Sequence, residues 1–200
     1  HFGVATSKMA VADSDIALSK ENRDRCGVCF GTTIGGENEI YEGQYRRFLE
    51  RGPEAIRRLT APELTPHIAT GYICSELKIT GPNATMSSGC STGLEVVNWG
   101  YKMIKRGEVD VAITACADTP IFPFPLSTLC SLGILSKKNE EPERASRPYD
   151  KDRDGMVLSE GGASIVMEEL NHALDRGANI YAEIVSYAST SEAQDVVQAD

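Results

Sequence analysis

Two hundred residues, 41% of them hydrophobic and 24% charged, are enough for one large domain or two small ones built on a real apolar core. The net charge of −9 excludes general nucleic-acid binding, which needs a basic stripe. The opening HFGVATSK has no initiator Met and no basic-then-apolar leader pattern, so the chain reads as an internal piece of a longer protein.

Residues 2–13 pattern as a helix, and residues 25–31 as a strand ending in the glycine-rich GTTIGGE. Cys26 and Cys29 have the CxxC spacing of a zinc site. On a strand, however, positions i and i+3 point to opposite faces, and no second Cys or His pair lies at a supporting distance. Both are expected to be core thiols in a reducing compartment, the cytoplasm, and no metal is expected. Residues 39–51 are predicted helical and stopped by Gly52-Pro53; residues 64–78 form a further predicted helix before the turn at Gly81-Pro82. Between 46 and 58, Arg46, Arg47, Arg51, Arg57 and Arg58 outnumber Glu50 and Glu54. This basic patch on an acidic chain is either a solvated helix face or a dock for an acidic partner.

Residues 83–88 are a predicted strand. Residues 91–106 are a predicted helix, with Leu94, Val97, Tyr101 and Ile104 at helical spacing and Gly107 as its stop. Residues 109–116 are nearly all apolar, as in a strand covered on both faces. The uncharged run 119–136 carries Pro120, Pro123 and Pro125 and cannot span a membrane as a bonded helix; it is expected to be buried, irregular interior. Asp150, Asp152, Asp154 and Gly155 open like an EF-hand loop, but position 12 is Gly161, with Glu160 one residue early, and a proline precedes the loop. A turn-rich segment held by pairing with Arg147 and Arg153 is expected instead of a calcium site. A glycine-rich turn and a strand follow within 156–169, then a short helix over 170–176, on which His172 takes a solvated or capping position, and a last strand over 180–187. The alternation argues for α/β layers around a largely buried sheet.

The densest chemical signal is Ser87-Ser88-Gly89-Cys90-Ser91-Thr92-Gly93, at the corner between the predicted strand and helix. Gly89 frees the backbone, and Gly93 is expected to let the first helical turn pack closely. The unpaired N–H groups and dipole of a helix start favour an anion, so a thiol there loses its proton more readily and a developing oxyanion can be held. Cys90 is therefore a candidate nucleophile; the alternative is a buried cysteine at a helix cap.

Several ordered motifs resemble those of β-ketoacyl-acyl-carrier-protein synthases, decarboxylating condensing enzymes of the thiolase-like superfamily: GTTIGG, GPN…SSGCSTG, GEVDVAITACAD, ASRPYDKDRDGMVLSEGGASIVMEEL and ALDRGANIYAEIVSY. Gly89 before the cysteine and ADTPI at 117–121 resemble the ketosynthase α subunits of type II polyketide systems; otherwise the chain is close to the elongating type II fatty-acid enzymes. The resemblance implies an α/β, thiolase-like, layered α/β/α/β/α fold with mixed sheets. Residues 1–176 would be most of the N-terminal half without its first strand, and residues 177–200 the start of the C-terminal half. It implies that Cys90 accepts an acyl group, its backbone N–H serving as one oxyanion donor, before decarboxylative condensation with malonyl-carrier-protein. No cofactor is implied. The expected partners are acyl carrier protein, docking near Arg57 and Arg58, acyl and malonyl thioesters, and a second subunit, either a copy or a chain-length-factor-like partner; no nucleic acid and no membrane span are expected. Ile121, Phe122 and Phe124 are candidates for an acyl pocket or a dimer contact, against plain core packing. The family's two catalytic histidines have no counterpart among His1, His67 and His172, so this piece alone is expected not to condense substrates. The competing readings are a thiolase and a non-catalytic chain-length-factor-like subunit.

Overall fold

The first strand, β1 (Cys26–Gly31), has no exposed residue, which places it in the middle of a sheet rather than at an edge. In the computed structural model, which describes residues 1–18 and 23–193 and omits the side chains of 37–39, β1 lies between β2 (Asn83–Met86) and β3 (Val111–Asp118), parallel to both. The fourth strand, β4 (Gly161–Glu168), runs antiparallel beside β3, giving the order β2-β1-β3-β4.

Helices cover both faces. On one side α1 (Phe2–Asp13) and α4 (His67–Leu77) bury Val28, Phe30, Val111, Ile113 and Ala115 together with Ile73 and Ile79. On the other, α5 (Thr92–Lys105) packs Met103, Val97 and Ile104 against Val109, Ala112 and Met167. The period-two alternation of β3 thus divides its side chains between two apolar layers. Helix α2 (Glu37–Arg51) and the one-turn α3 (Thr60–Glu63) lie in the connection from β1 to β2. The expected helix over 64–78 begins at His67, after a turn closed by Ile68 N–H donating to Thr65 O at 3.1 Å.

Two expectations are corrected. The proline-rich run is not buried irregular interior. It forms α6 (Pro123–Leu132), with Phe124 66% exposed and Ile121, just before it, 55% exposed. The two prolines inside the helix, Pro123 and Pro125, occupy its first turn, where a missing N–H breaks no intrahelical bond. The segment 180–187 is not a strand: no described strand lies beside it to complete a ladder. Side chains hold it instead, through Tyr187 Oη donating to Glu95 at 2.6 Å, Tyr181 Oη to Asp13 at 3.0 Å and Tyr101 Oη to the Val185 carbonyl at 3.3 Å. After β4, α7 (Leu170–Asp175) begins at Glu169, whose carboxylate accepts the His172 N–H at 2.9 Å. No described helix is long and apolar enough to cross a membrane.

Candidate active site

The carboxyl ends of β1, β2 and β3 lie along one edge of the sheet, where connections leave towards opposite faces. Such a topological switch point is where open α/β sheets bind ligands. The corner from β2 to α5 lies there. Gly89 adopts φ +64°, the left-handed region that glycine enters without strain, and no neighbour crowds its α-carbon. Its carbonyl accepts the Thr92 N–H at 3.0 Å and the Thr92 hydroxyl at 2.6 Å, while the Ser88 N–H donates to Thr92 Oγ1 at 2.9 Å. Thr92, 1% exposed, clamps the turn from inside. Cys90 at its tip is exposed, so the alternative of a buried capping cysteine is wrong. No group among the described residues accepts the Cys90 backbone N–H.

The expected close packing of α5 at Gly93 is also corrected. Nothing lies within 4 Å of where a Gly93 side chain would begin. The close approach is made at Gly31, at the end of β1, where a Cβ would fall 2.6 Å from Thr92 Cγ2 and 2.8 Å from Val96 Cγ1. The glycine that seats the helix belongs to the neighbouring strand, so it was invisible in the helix's own sequence.

A group not singled out from sequence completes this edge. Asp118 ends β3, and its carboxylate gathers the turn that follows β1. Oδ1 accepts the Thr32 hydroxyl at 2.7 Å and the N–H groups of Thr33, Ile34 and Gly35 at 3.0, 2.9 and 2.8 Å. Oδ2 accepts the Thr33 N–H at 3.1 Å. The signal was a lone carboxylate at the end of an apolar strand, paired with a glycine-rich turn elsewhere in the chain. Only strand register brings them together: Gly31 pairs with Cys116, so Asp118 reaches beyond the end of β1.

The other cysteines differ in kind. Burial pushes the Cys26 thiol up to about 11 and the Cys29 thiol up to about 12. Burial also raises Cys74 and Cys116, the latter further through the charge of Asp118. Cys130 on α6 is the other exposed thiol.

Beside the corner, Thr32, Thr33, Pro66, His67, Thr85, Met86 and Ser87 line an open cleft of about 360 Å³. Ile121, Phe122 and Phe124 do not line it; Ile121 and Phe124 stand on the surface, and Phe122 is half-buried. Arg57 and Arg58 are exposed, but Arg57 is paired with Glu63 at 2.5 Å, as Arg46 is with Glu42 at 3.1 Å. His172 is neither simply solvated nor only a cap: its Nδ1 lies 2.9 Å from Glu168 Oε2 at the far end of the sheet.

Two aspartates of the 150–155 loop accept hydrogen bonds, one within the loop and one from the segment after α6. Asp150 accepts the Asp152 N–H at 2.8 Å, and Asp154 accepts the Ser136 hydroxyl at 2.6 Å and the Lys137 N–H at 2.8 Å. Arg147 and Arg153 donate to the carbonyls of Arg144 and Asp150, rather than to the aspartate side chains as expected. Among the described residues no group of three or more His, Cys, Asp or Glu is placed to hold a metal.

A mixed sheet of order β2-β1-β3-β4, with a cysteine at a strand-to-helix corner on its carboxyl edge, defines a thiolase-like α/β protein. The family model for the beta-ketoacyl synthase N-terminal domain matches residues 1–173, and the chain belongs to that family. Among its relatives, the 3-oxoacyl-acyl-carrier-protein synthase 2 of Vibrio cholerae is 35% identical over 96% of this chain and 46% of its own length. The enzyme of the same name from Coxiella burnetii is 35% identical over 100% of this chain and 48% of its own. The chain thus spans about half the length of the curated relatives it matches. Among solved structures, a type II PKS ketosynthase in complex with its acyl-carrier protein, AntDE:AntF, superposes with a TM-score of 0.90 at 26% identity, over 96% of this chain and 48% of that one. The ishigamide ketosynthase/chain length factor superposes with a TM-score of 0.78 at 30% identity, over 90% and 43%.

Proposed function

We propose that the complete protein is a 3-oxoacyl-acyl-carrier-protein synthase of fatty-acid or polyketide biosynthesis, with Cys90 as its nucleophile. The Cys90 thiolate attacks the carbonyl of an acyl thioester, forms the acyl-cysteine and expels the carrier thiol. Malonyl-carrier-protein then loses CO₂, and the resulting carbanion attacks the acyl-cysteine to give the 3-oxoacyl product and regenerate the thiolate. The observation that carries this reading is the corner itself: an exposed thiol on a left-handed glycine turn, whose own backbone N–H has no acceptor among the described residues. The Cys90 N–H is one donor to the developing oxyanion. Exposure of Cys90 favours this reading over a non-catalytic chain-length-factor-like subunit, which would need no reactive thiol.

Residues 1–176 are read as most of the N-terminal half of the enzyme and 177–200 as the start of the other half. Condensation then depends on groups outside this chain, and the chain alone takes up acyl groups without forming 3-oxoacyl product. An acidic carrier protein docks on the arginine face, with Arg58 the cleaner candidate because Arg57 already pairs with Glu63. Charge reversal at Arg58 is expected to weaken carrier binding and flatten its salt dependence. The exposed Ile121 and Phe124 suit a contact with a second subunit better than an acyl pocket in this half.

Intact-mass analysis after exposure to a stoichiometric acyl thioester tests the central point. A single adduct on Cys90, with the likewise exposed Cys130 unmodified, is expected. Equal modification of both would show a surface thiol and no nucleophile.

A further inference from the structure

Beyond its nucleophile, the site contains an unassigned device for aiming the backbone at that nucleophile. We infer that Asp118 is a positioning residue for the Cys90 N–H, acting through the 32–35 turn and the Thr33 hydroxyl; this rests on the reading of Cys90 as an acyl acceptor.

The chain of contacts is short. Asp118 fixes three consecutive backbone N–H groups and the buried Thr32 hydroxyl. Its neighbour Thr119 ties the same turn a second time, with Thr119 N–H donating to the Gly35 carbonyl at 3.1 Å. The turn therefore has little freedom to move. From it, Thr33 sends its hydroxyl across to the Gly89 carbonyl at 2.9 Å. That carbonyl is one end of the planar peptide whose other end is the Cys90 N–H. The Thr33 hydroxyl, the Thr92 hydroxyl and the Thr92 N–H all bind the Gly89 oxygen, and together they set the tilt of that plane. Fixing the oxygen fixes the direction of the N–H on the opposite side of the bond. Thr92 belongs to the corner itself and packs on Gly31; Thr33 adds a hydrogen bond from the turn that follows β1, and Asp118 holds that turn in place. An oxyanion donor is effective only when aimed at the developing charge, so the contribution falls in the transition state.

Two reactions of the same sulfur separate this role from a structural one. Acylation by a thioester develops an oxyanion and needs the aimed N–H; alkylation by iodoacetamide displaces iodide and develops none. The test uses the complete protein with octanoyl-coenzyme A and iodoacetamide, reading adducts on Cys90 by mass. Thr33→Val keeps the shape of an exposed side chain and removes the hydroxyl. It is expected to slow acylation by roughly tenfold to a hundredfold, as a misdirected oxyanion donor does. Saturation by thioester should stay nearly unchanged, so the loss falls on kcat and not on KM. Alkylation should proceed at the unsubstituted rate, and Thr33→Ser should restore acylation. Asp118→Asn, which keeps one acceptor oxygen, should lie between, and Asp118→Asn with Thr33→Val should be no slower than Thr33→Val alone, because both act through one contact. Equal losses of acylation and alkylation, additive losses in the double variant, or unchanged acylation in Thr33→Val would each overturn the assignment. If the unsubstituted protein alkylates at Cys90 but never acylates, the functional reading falls with it; if it acylates normally and only the variants misbehave as above, Asp118 alone is wrong.

Discussion

Strands β1 and β3 are bolted together at both ends by a carboxylate, and the two bolts work differently. At the amino end, Asp110 pairs with Arg25 in a fork, Nη2 to Oδ1 at 2.6 Å and Nε to Oδ2 at 3.0 Å. At the carboxyl end, Asp118 takes up backbone N–H groups and one hydroxyl, and no cation pairs with it among the described residues. The Arg25 guanidinium also donates to the Gly107 carbonyl at 2.9 Å and the Glu108 carbonyl at 3.2 Å, so at the amino end a cation gathers backbone acceptors. A carboxylate ringed by backbone donors fixes the main chain itself. The carboxylate that gathers backbone donors stands beside Cys90, and the ion-paired carboxylate stands at the opposite end of the sheet. The far end carries a second ion cluster of the same kind: the nearly buried Glu168 accepts from Arg176 at 2.5 and 2.8 Å and contacts His172, while Arg176 also reaches the Ser14 carbonyl.

The largest expected effect lies at the carboxyl end. Gly31→Val drives side-chain atoms into Thr92 and Val96 and should destabilise the fold by about 3 kcal/mol or more, read by denaturant unfolding. Acylation of Cys90 in the remaining folded protein should fall as well, because the helix that clamps the corner is displaced. At the far end, Arg176→Met leaves the Glu168 carboxylate buried without its main partner. It should cost about 2 kcal/mol at neutral pH, below the usual figure for a buried pair because Arg176 keeps contact with water. Acylation of the folded fraction should not change. Burial alone would raise Glu168, but hydrogen bonds from Arg176 and His172 outweigh it and hold the carboxyl below its usual range. The pair's contribution is therefore full above the unfolded value of about 4.3 and is lost as pH falls through the lower folded value. The gap between variant and unsubstituted protein should close below about pH 4 in parallel unfolding titrations.

Such outcomes also measure how much of the molecule could be read from its residues alone. The order of strands and helices was legible because β3 carries a nearly all-apolar run, β1 ends in a glycine-rich turn, and α5 repeats its apolar residues at helical spacing. Cys90 was legible as a candidate nucleophile because it stands among serines and glycines at a strand-to-helix corner. What stayed hidden depended on register or on position within a turn. Pro123 and Pro125 break a helix everywhere except in the turn where they stand. Ile180–Tyr187 has the composition of a strand, but no strand lies beside it among the described residues. Asp118 and Thr33 lie 85 positions apart in sequence, and only the pairing of Gly31 with Cys116 makes them neighbours.

Smaller effects refine the contrast. Asp110→Asn should cost roughly 1 kcal/mol, since both partners are more than a third exposed and water screens the pair. The hydrogen bonds from Arg25 hold the Asp110 carboxyl below its ordinary range, so the cost should vanish as pH falls below about 4. Gly93→Ala should be neutral or stabilise by about 0.5 kcal/mol through helix propensity, with acylation kept. A large loss there would return the close packing to α5 and undo the assignment to Gly31.

The central place of β1 has a consequence during synthesis. Val28 finds its partners in Asn83 and Ile113, so this fully covered strand is made before both of the strands that pair with it. On a ribosome adding roughly 5–20 residues each second, CGVCFG waits several seconds with both edges unpaired. Such a segment is open to the wrong partner, and chaperone capture of nascent chains should concentrate on lengths between the emergence of β1 and that of β3.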